Sequence, residues 1–194
     1  RPKGVIGLFP ANSCGDDIIV YDPNDAEREI GRFYHLRQQK KHINDLPYLC
    51  LADFIAPVSC GKKDYIGGFA ITTGHEIDAL LEPLKAEDND YQIILHQAIC
   101  DRLVEAFAEY LHHQVRTQYW GYAPDENLSH KELLKSRFDG IRPAYGYPAC
   151  PEHTEKETLF KLLKVEQQAG ITLTEHHAML PAASISGIYF AHPK

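Results

Sequence analysis

The sequence predicts an α+β fold: a single domain of 194 residues with a mainly antiparallel sheet and packed helices. Strand-like segments fill the first part of the chain and helical patterns follow. This order lacks the regular alternation that is typical of a doubly wound parallel sheet. The longest helical pattern also carries one apolar stripe, which indicates that it packs on a single layer.

Two segments near the start of the chain are β-like. Residues 4–12 begin as a strand and end in turn residues. Residues 16–36 read as two strands around the turn residues Pro23, Asn24 and Asp25, because turn chemistry stands between two runs rich in β-branched and aromatic residues.

Three more strands are expected further along. Residues 48–57 form a largely apolar run closed by proline, which predicts a buried strand. Residues 64–72 form another, and the glycines Gly67 and Gly68 within it indicate that something approaches the backbone closely. The tail carries a short strand at residues 188–190.

Capping boxes predict the starts of three helices, because a Ser or Thr and a Glu three residues later satisfy free amides there. The boxes are Thr73-x-x-Glu76, Ser129-x-x-Glu132 and Thr154-x-x-Glu157, and the helices are expected to end at Pro83, Gly140 and Gly170.

The longest helix is expected over residues 90–116. Its apolar residues recur at three-to-four spacing and predict the face that packs on the sheet. They are Cys100, Val104, Phe107, Leu111 and Val115. Asp101, Glu105 and Glu109 form a neighbouring acidic ridge, for which a solvated face is the simplest interpretation.

Charge and hydropathy exclude several classes of partner. The chain has 27 acidic and 20 basic residues and a net charge of −7. Binding to a phosphate backbone needs clustered Lys and Arg, so we expect no nucleic-acid partner. No apolar run approaches the length of a membrane span and no leader pattern opens the sequence, so we expect neither a membrane nor secretion.

The cysteines predict reduced thiols in a cytoplasmic protein. Five of them are scattered without C-x-x-C pairs, which suits neither a disulfide framework nor a zinc site. They are Cys14, Cys50, Cys60, Cys100 and Cys150. The adjacent pairs His112-His113 and His176-His177 are expected to be ordinary surface or core residues, because neighbours do not share a helix face.

The stretch RPAYGYPACPEHTEK, residues 142–156, is the strongest candidate for a binding loop. Three prolines restrict its backbone, and Arg142 offers a fork that matches a carboxylate or phosphate. Gly146 lets a ligand press against the backbone, and Tyr145 and Tyr147 can stack on a flat ring or face a cation. The loop suits a small ligand with a carboxylate and a flat base; a rigid packing loop is the alternative.

Signatures of self-contained catalysis are absent from the sequence. No G-x-G-x-x-G follows a strand, and neither a P-loop nor G-x-S-x-G occurs. No nucleophile stands in an obvious arrangement with a base. We therefore assign no catalytic residue.

The same stretch resembles the ligand-binding segment of the activation domain of cobalamin-dependent methionine synthase. Further segments are similar to that domain in the same order, so the resemblance covers nearly the whole chain. They are RPKGVIGLFPAN, GDDIIVY, HLRQQ, CLADFIAP, GKKDYIGGFAITTG, DRLVEAFAEYLH, YWGYAPDENLS and SGIYFAHP.

The resemblance implies a site for S-adenosylmethionine. Arg142 corresponds to the residue that grips the carboxylate of the methionine moiety. Ala144, Gly146 and Tyr147 correspond to residues that line the ligand largely through backbone groups. Tyr189 and Phe190 are expected to close the other side from the final strand, and Glu105 is expected near the ligand.

The resemblance also implies a role in reactivation. In this family an electron from a flavodoxin-like donor and a methyl from S-adenosylmethionine restore methylcobalamin from inactive cob(II)alamin. The cobalamin is held by a separate cobalamin-binding domain, which is the expected partner. A stand-alone S-adenosylmethionine-binding module, or a methyltransferase with another acceptor, is the alternative.

The sequence departs from the family pattern in places. Tyr145 stands where proline is expected, and Ile188 stands where tryptophan is expected. The family domain is also longer, so residues 1–194 are expected to be a partial activation domain. The parts outside it include an upstream region that supplies a carboxylate to the amino group of the ligand.

Overall fold

The computed structural model describes residues 1–39 and 46–192. Its centre is a five-stranded sheet in the order β3-β2-β1-β4-β7, with every neighbouring pair antiparallel. A separate two-stranded ribbon joins β5 and β6. The strands are β1 Lys3–Cys14, β2 Asp17–Asp22, β3 Asp25–Tyr34, β4 Asp64–Thr72, β5 Thr172–Leu173, β6 Met179–Leu180 and β7 Ser184–Tyr189. The predicted α+β class with a mainly antiparallel sheet is confirmed.

Helices cover both faces of the sheet. The helices are α1 Ile77–Ala86, α2 Asp90–Gln114, α3 His130–Leu133, α4 Glu155–Leu163 and α5 Val165–Ala169. The long helix α2 packs on one face, and α4 and α5 pack on the other. Within the described residues, no helix combines the length and the apolarity that a bilayer crossing requires.

Alternation along β4 and β7 separates two cores. Phe69, Ile71 and Tyr189 belong to the core beneath α2, whereas Ile66 and Ile188 belong to the core beneath α4. Successive side chains of a strand point to opposite faces, so each strand contributes to both layers. Both faces are apolar because both are covered.

The predicted stripe of α2 packs on the sheet as expected in its second half. Val104, Leu111 and Val115 are buried, whereas Cys100 and Phe107 are only partly buried. The α-helix ends at Gln114, and residues 115–119 continue as one wider π-turn. The expected end at Arg116 is therefore two residues too late.

The glycines of β4 lie where other chain segments approach closely, as predicted. A Cβ atom at Gly68 would lie 2.6 Å from Cδ1 of Leu159 on α4. A Cβ atom at Gly67 would lie 3.0 Å from Cβ of Tyr189 on β7. The bare backbone of β4 therefore lets α4 sit directly on the sheet.

The predicted strand at residues 48–57 is wrong. Residues 51–54 form a 3₁₀ turn, with Leu51 and Ala52 buried. The carboxylate of Asp53 accepts the backbone N–H of Cys50 at 2.8 Å and pairs with Arg37 at 2.7 Å. The turn thus satisfies backbone groups locally, and an apolar run alone does not separate such a turn from a buried strand.

The three capping boxes behave differently. The Ser129–Glu132 box is formed, but its helix α3 ends at Leu133 and not at Gly140. Thr73 does not cap α1, because its hydroxyl donates instead to the carbonyl of Cys100 at 3.0 Å. Helix α1 begins three residues later than expected, with Glu76 in place of Thr73 as its N-cap, and it continues through Pro83.

The third predicted helix is interrupted. It runs as α4 and α5 around Lys164, which adopts a left-handed conformation with φ of 50°, and it ends at Gly170 as expected. The side chain of Thr154 makes no capping bond. Because of this interruption, Val165 and Ala169 point into the same core as Leu159 and Leu163.

Candidate functional site

A cleft of about 920 Å³ lies between α2 and the loop that follows Ile141. We call residues 142–150 the ligand loop. The walls of the cleft come from β4, α2, the ligand loop and β7. The lining residues are Phe69, Arg102, Glu105, Ala106, Ala108, Glu109, Arg142, Pro143, Ala144, Tyr147, Pro148, Ala149 and Ile185.

The start of the ligand loop is hydrogen-bonded to the edge of the sheet. Ile141 and Phe190 exchange backbone hydrogen bonds of 3.0 and 3.1 Å, and the N–H of Ile188 donates to the carbonyl of Pro143 at 3.0 Å. A Cβ atom at Gly187 would lie 2.6 Å from that same carbonyl oxygen. Glycine at this position therefore lets the loop lie against β7.

Arg142 stands at the mouth of the cleft and bridges it. Its Nη2 donates to the carboxylate of Glu109 on α2. Its Nη1 is buried and has no hydrogen-bond partner among residues 1–39 and 46–192. A buried guanidinium donor left without a partner is costly, which favours an acceptor arriving in the cleft.

Glu105 lies one helical turn before Glu109 on the same wall. Its carboxylate pairs with Arg102 at 2.8 Å, and both side chains are well exposed. An exposed pair of this kind contributes little to stability and is easily exchanged for another partner. The α2 wall therefore presents two carboxylates and one guanidinium to the cleft.

The loop residues Ala144 and Tyr147 line the cleft, and the ligand contacts that the resemblance implies for them stay a prediction. Tyr147 is 67% exposed and stands at the rim. Gly146 does not line the cleft; it has a φ of +98°, and its Cα faces the ring of His153. Only a glycine fits there, since any Cβ atom would overlap that ring.

Tyr189 and Phe190 are placed away from the lining. Tyr189 is fully buried between the rings of Phe69 and His112, with ring centroids 4.7 and 5.0 Å away. Phe190 is equally buried, in the core on the α4 side of the sheet. Neither residue lines the cleft, so their assignment as ligand residues rests on the resemblance and stays a prediction.

Sequence reasoning missed Glu109 as a partner of the loop. The sequence pattern alone favours a solvated ridge that includes Glu109 and Asp101. The available signal was its position four residues after Glu105, which puts both carboxylates on one face of α2. Phe69 and Arg102 were also missed, and nothing in their local sequence distinguishes them.

The chemistry of the cleft is that of binding. Among the described residues that line it there is no serine, threonine, cysteine, histidine or lysine, so the lining offers none of the usual nucleophile and base pairs. Burial raises the pKa of Tyr189, behind the lining, well above its ordinary value, which keeps that phenol protonated. In the described part of the chain, His, Cys, Asp and Glu form no group of three or more that could hold a metal ion.

The fold and the cleft are those of a candidate small-molecule-binding domain, with a guanidinium at the mouth and a proline-restricted loop as one wall. A sequence profile of the family described as "Vitamin B12 dependent methionine synthase, activation domain" matches residues 1–194. The chain belongs to this family, as its resemblance indicated.

A solved structure gives the same result in three dimensions. The chain is similar to the protein described as "MetH Reactivation Domain bound to AdoHcy", with 55% sequence identity and a TM-score of 0.95. The match covers 100% of this chain and 59% of that one. The present chain therefore spans about three fifths of the length of that relative.

Proposed function

We propose that this chain binds S-adenosylmethionine in the cleft between α2 and the ligand loop, as part of the activation domain of a cobalamin-dependent methionine synthase. The observation that carries the proposal is the 0.95 TM-score match at 55% identity to a reactivation domain that holds AdoHcy, the demethylated form of that ligand. The unpartnered buried donor of Arg142 at the cleft mouth supports it independently.

Arg142, Ala144, Tyr147 and Glu105 line the cleft, which supports their proposed roles, whereas the roles of Gly146, Tyr189 and Phe190 rest on the family resemblance. Arg142 binds the carboxylate of the methionine moiety through its fork. Ala144, Gly146 and Tyr147 contribute mainly backbone groups, and Glu105 is near the ligand from α2. Tyr189 and Phe190 close the other side of the site from the end of β7, as the resemblance implies.

The proposed chemistry needs positioning and no acid or base from this chain. The methyl group of a sulfonium is already activated for transfer, so holding it in line with its acceptor supplies much of the rate. The acceptor is cobalamin on a separate cobalamin-binding domain, and the electron comes from a flavodoxin-like donor. These two partners are part of the proposal.

Calorimetric titration of the 194-residue chain tests the proposal. We expect binding of S-adenosylmethionine and of S-adenosylhomocysteine with one site per chain. Methylthioadenosine keeps the base and the sulfur but lacks the amino acid, so it should bind clearly more weakly. Equal binding of all three ligands would overturn the role of Arg142, and binding of none would overturn the proposed function.

A further inference from the structure

The ligand loop folds back on itself beneath the cleft. The N–H of Gly146 donates to the carbonyl of Cys150 at 2.9 Å, and the N–H of Cys150 donates to the carbonyl of Tyr147 at 2.9 Å. This short antiparallel bridge closes the tip of the loop at Pro148 and Ala149. The part of the loop that lines the cleft from Tyr147 to Ala149 is therefore closed by backbone hydrogen bonds of Cys150.

The thiol of Cys150 makes a further contact to the same loop. Its Sγ lies 2.9 Å from the carbonyl oxygen of Ala144, a residue that lines the cleft. Cys150 is 3% exposed, and burial raises its pKa to about 11. The thiol therefore stays protonated and donates a hydrogen bond to that carbonyl oxygen. This hydrogen bond fixes the plane of the Ala144 peptide.

Tyr145 points the opposite way from its neighbours. Ala144 and Tyr147 face the cleft, whereas the ring of Tyr145 is buried in the core beneath the loop. It stacks on Phe33, with ring centroids 5.9 Å apart, and on His35, with centroids 6.2 Å apart. An aromatic ring held in this way anchors the backbone at the centre of the loop.

We propose that Cys150 and Tyr145 are positioning residues for the bound ligand, acting through the backbone of Ala144, which lines the cleft. The proposal rests on the proposed function, because it assumes that the loop backbone contacts S-adenosylmethionine. Neither side chain touches the cleft. Both hold the peptide groups that do, the thiol by a hydrogen bond and the phenol ring by stacking.

Matched substitutions separate positioning from simple packing. Cys150→Ala removes both the sulfur and the donor, whereas Cys150→Ser loses the sulfur but keeps a donor. Tyr145→Ala removes the anchor, and Tyr145→Phe keeps the ring. Cys60→Ala is the control, because Cys60 is exposed and lies outside the loop.

Two measurements on each variant decide the proposal. Calorimetry gives the dissociation constant for S-adenosylhomocysteine, and amide hydrogen exchange of the ligand-free chain reports the order of residues 144–150. We expect Cys150→Ala to bind about fivefold more weakly, as for one lost hydrogen bond, and to exchange faster in the loop. Cys150→Ser should recover most of both losses, and Tyr145→Phe and Cys60→Ala should match the parent.

Other outcomes separate the two proposals. Equal exchange and equal affinity in the parent, Cys150→Ala and Tyr145→Ala would overturn the positioning role. So would a Cys150→Ser variant that behaves like Cys150→Ala. A parent chain that binds no S-adenosylhomocysteine would remove the proposed function and with it the ligand role, while the exchange data would still decide whether these residues order the loop.

Discussion

Arg142 of the ligand loop forms an ion pair with Glu109 of α2 across the mouth of the cleft. The two residues are 33 positions apart in sequence, and each belongs to a different wall. A ligand carboxylate that binds the Arg142 fork through both Nη atoms must therefore compete with Glu109 for Nη2.

Replacing Arg142 should separate recognition of the amino acid from recognition of the nucleoside. Arg142→Ala should weaken binding of S-adenosylhomocysteine by about 2 kcal/mol, or about thirtyfold, as for a charge-assisted pair. Arg142→Lys should lose less, because it keeps the charge without the fork. Methylthioadenosine has no carboxylate, so its affinity should not change. Calorimetry with both ligands checks this; a parallel loss for methylthioadenosine would contradict it.

Replacing Glu109 should have the opposite effect. Glu109→Gln removes the competing carboxylate, so S-adenosylhomocysteine should bind about two- to fivefold more tightly, within the usual range for an exposed ion pair. The stability of the free chain should change by no more than about 0.5 kcal/mol, because Glu109 is largely exposed. Weaker binding would show instead that Glu109 holds the ammonium group of the ligand. Glu105→Gln serves as the comparison one turn away.

The contact between Gly68 and Leu159 predicts a double-mutant cycle with strong coupling. Leu159→Ala should destabilise the chain by about 2–5 kcal/mol, because Leu159 is only 1% exposed. Gly68→Ala should cost about 1–3 kcal/mol, since its new methyl group overlaps that leucine. The double mutant should lose clearly less than the sum, because the methyl group enters the space that Leu159 leaves.

Urea unfolding measures all three variants of this cycle. Leu134→Ala is the control, because Leu134 is 74% exposed and its loss should lie within about 0.5 kcal/mol. Additive losses in the double mutant would show that α4 shifts away from the sheet in the single variants.

His35 should make stability fall in mild acid. Burial lowers the pKa of His35 from 6.5 to about 4, and neither ring nitrogen has a hydrogen-bond partner among the described residues. Between those two pH values His35 is protonated in the unfolded chain but stays neutral in the folded chain. Stability is therefore lost as the pH falls from about 6.5 towards about 4, at about 1.4 kcal/mol per pH unit.

Comparison with a variant isolates this effect. His35→Phe keeps a ring beside Phe33 and Tyr145 but does not titrate. Between pH 7 and pH 5 the parent should lose about 2 kcal/mol more stability than the variant, measured by urea unfolding. Burial raises the pKa of the neighbouring Glu155 carboxyl, so this group makes stability rise as the pH falls. That contribution is the same in the parent and in the variant, and the comparison removes it. Identical pH slopes for parent and variant would contradict the prediction.

Thiol reactivity should follow burial. All five cysteines are free, with Cys14 and Cys60 exposed and Cys50 and Cys150 buried. Burial also raises the pKa of both buried thiols, which lowers their thiolate fraction. A thiol reagent without reductant should therefore label Cys14 and Cys60 fast in the native chain and reach five groups after unfolding. A final count of three or fewer would show a disulfide.

Local sequence patterns correctly predicted the strands, helices and turns whose own residues show a clear periodicity or turn chemistry. β4 alternates cleanly between two apolar faces, and the α2 residues Val104 and Leu111 pack where their spacing indicated. The turn at residues 23–24 separates β2 and β3 as expected. In each case the relevant neighbours are close in sequence or are fixed by a simple period.

Local patterns failed where a distant partner decides the conformation. Asp53 pairs with Arg37, sixteen residues away, and this helps hold a 3₁₀ turn in place of the expected strand. The hydroxyl of Thr73 donates a hydrogen bond to a carbonyl of α2 and does not cap α1. Glu109 acquires its partner only when the ligand loop lies opposite α2. None of these three contacts follows from the periodicity around the residue concerned.

The ligand loop rests on the strand that is synthesised last among the described elements. Ile141 and Pro143 leave the ribosome well before β7, and until Ile188 and Phe190 follow they have no strand to pair with. A nascent chain thus carries every residue of the loop before the loop has its shape. On the proposed function, binding competence is gained only once β7 is in place, and a product that stops before Ser184 is expected not to bind the ligand.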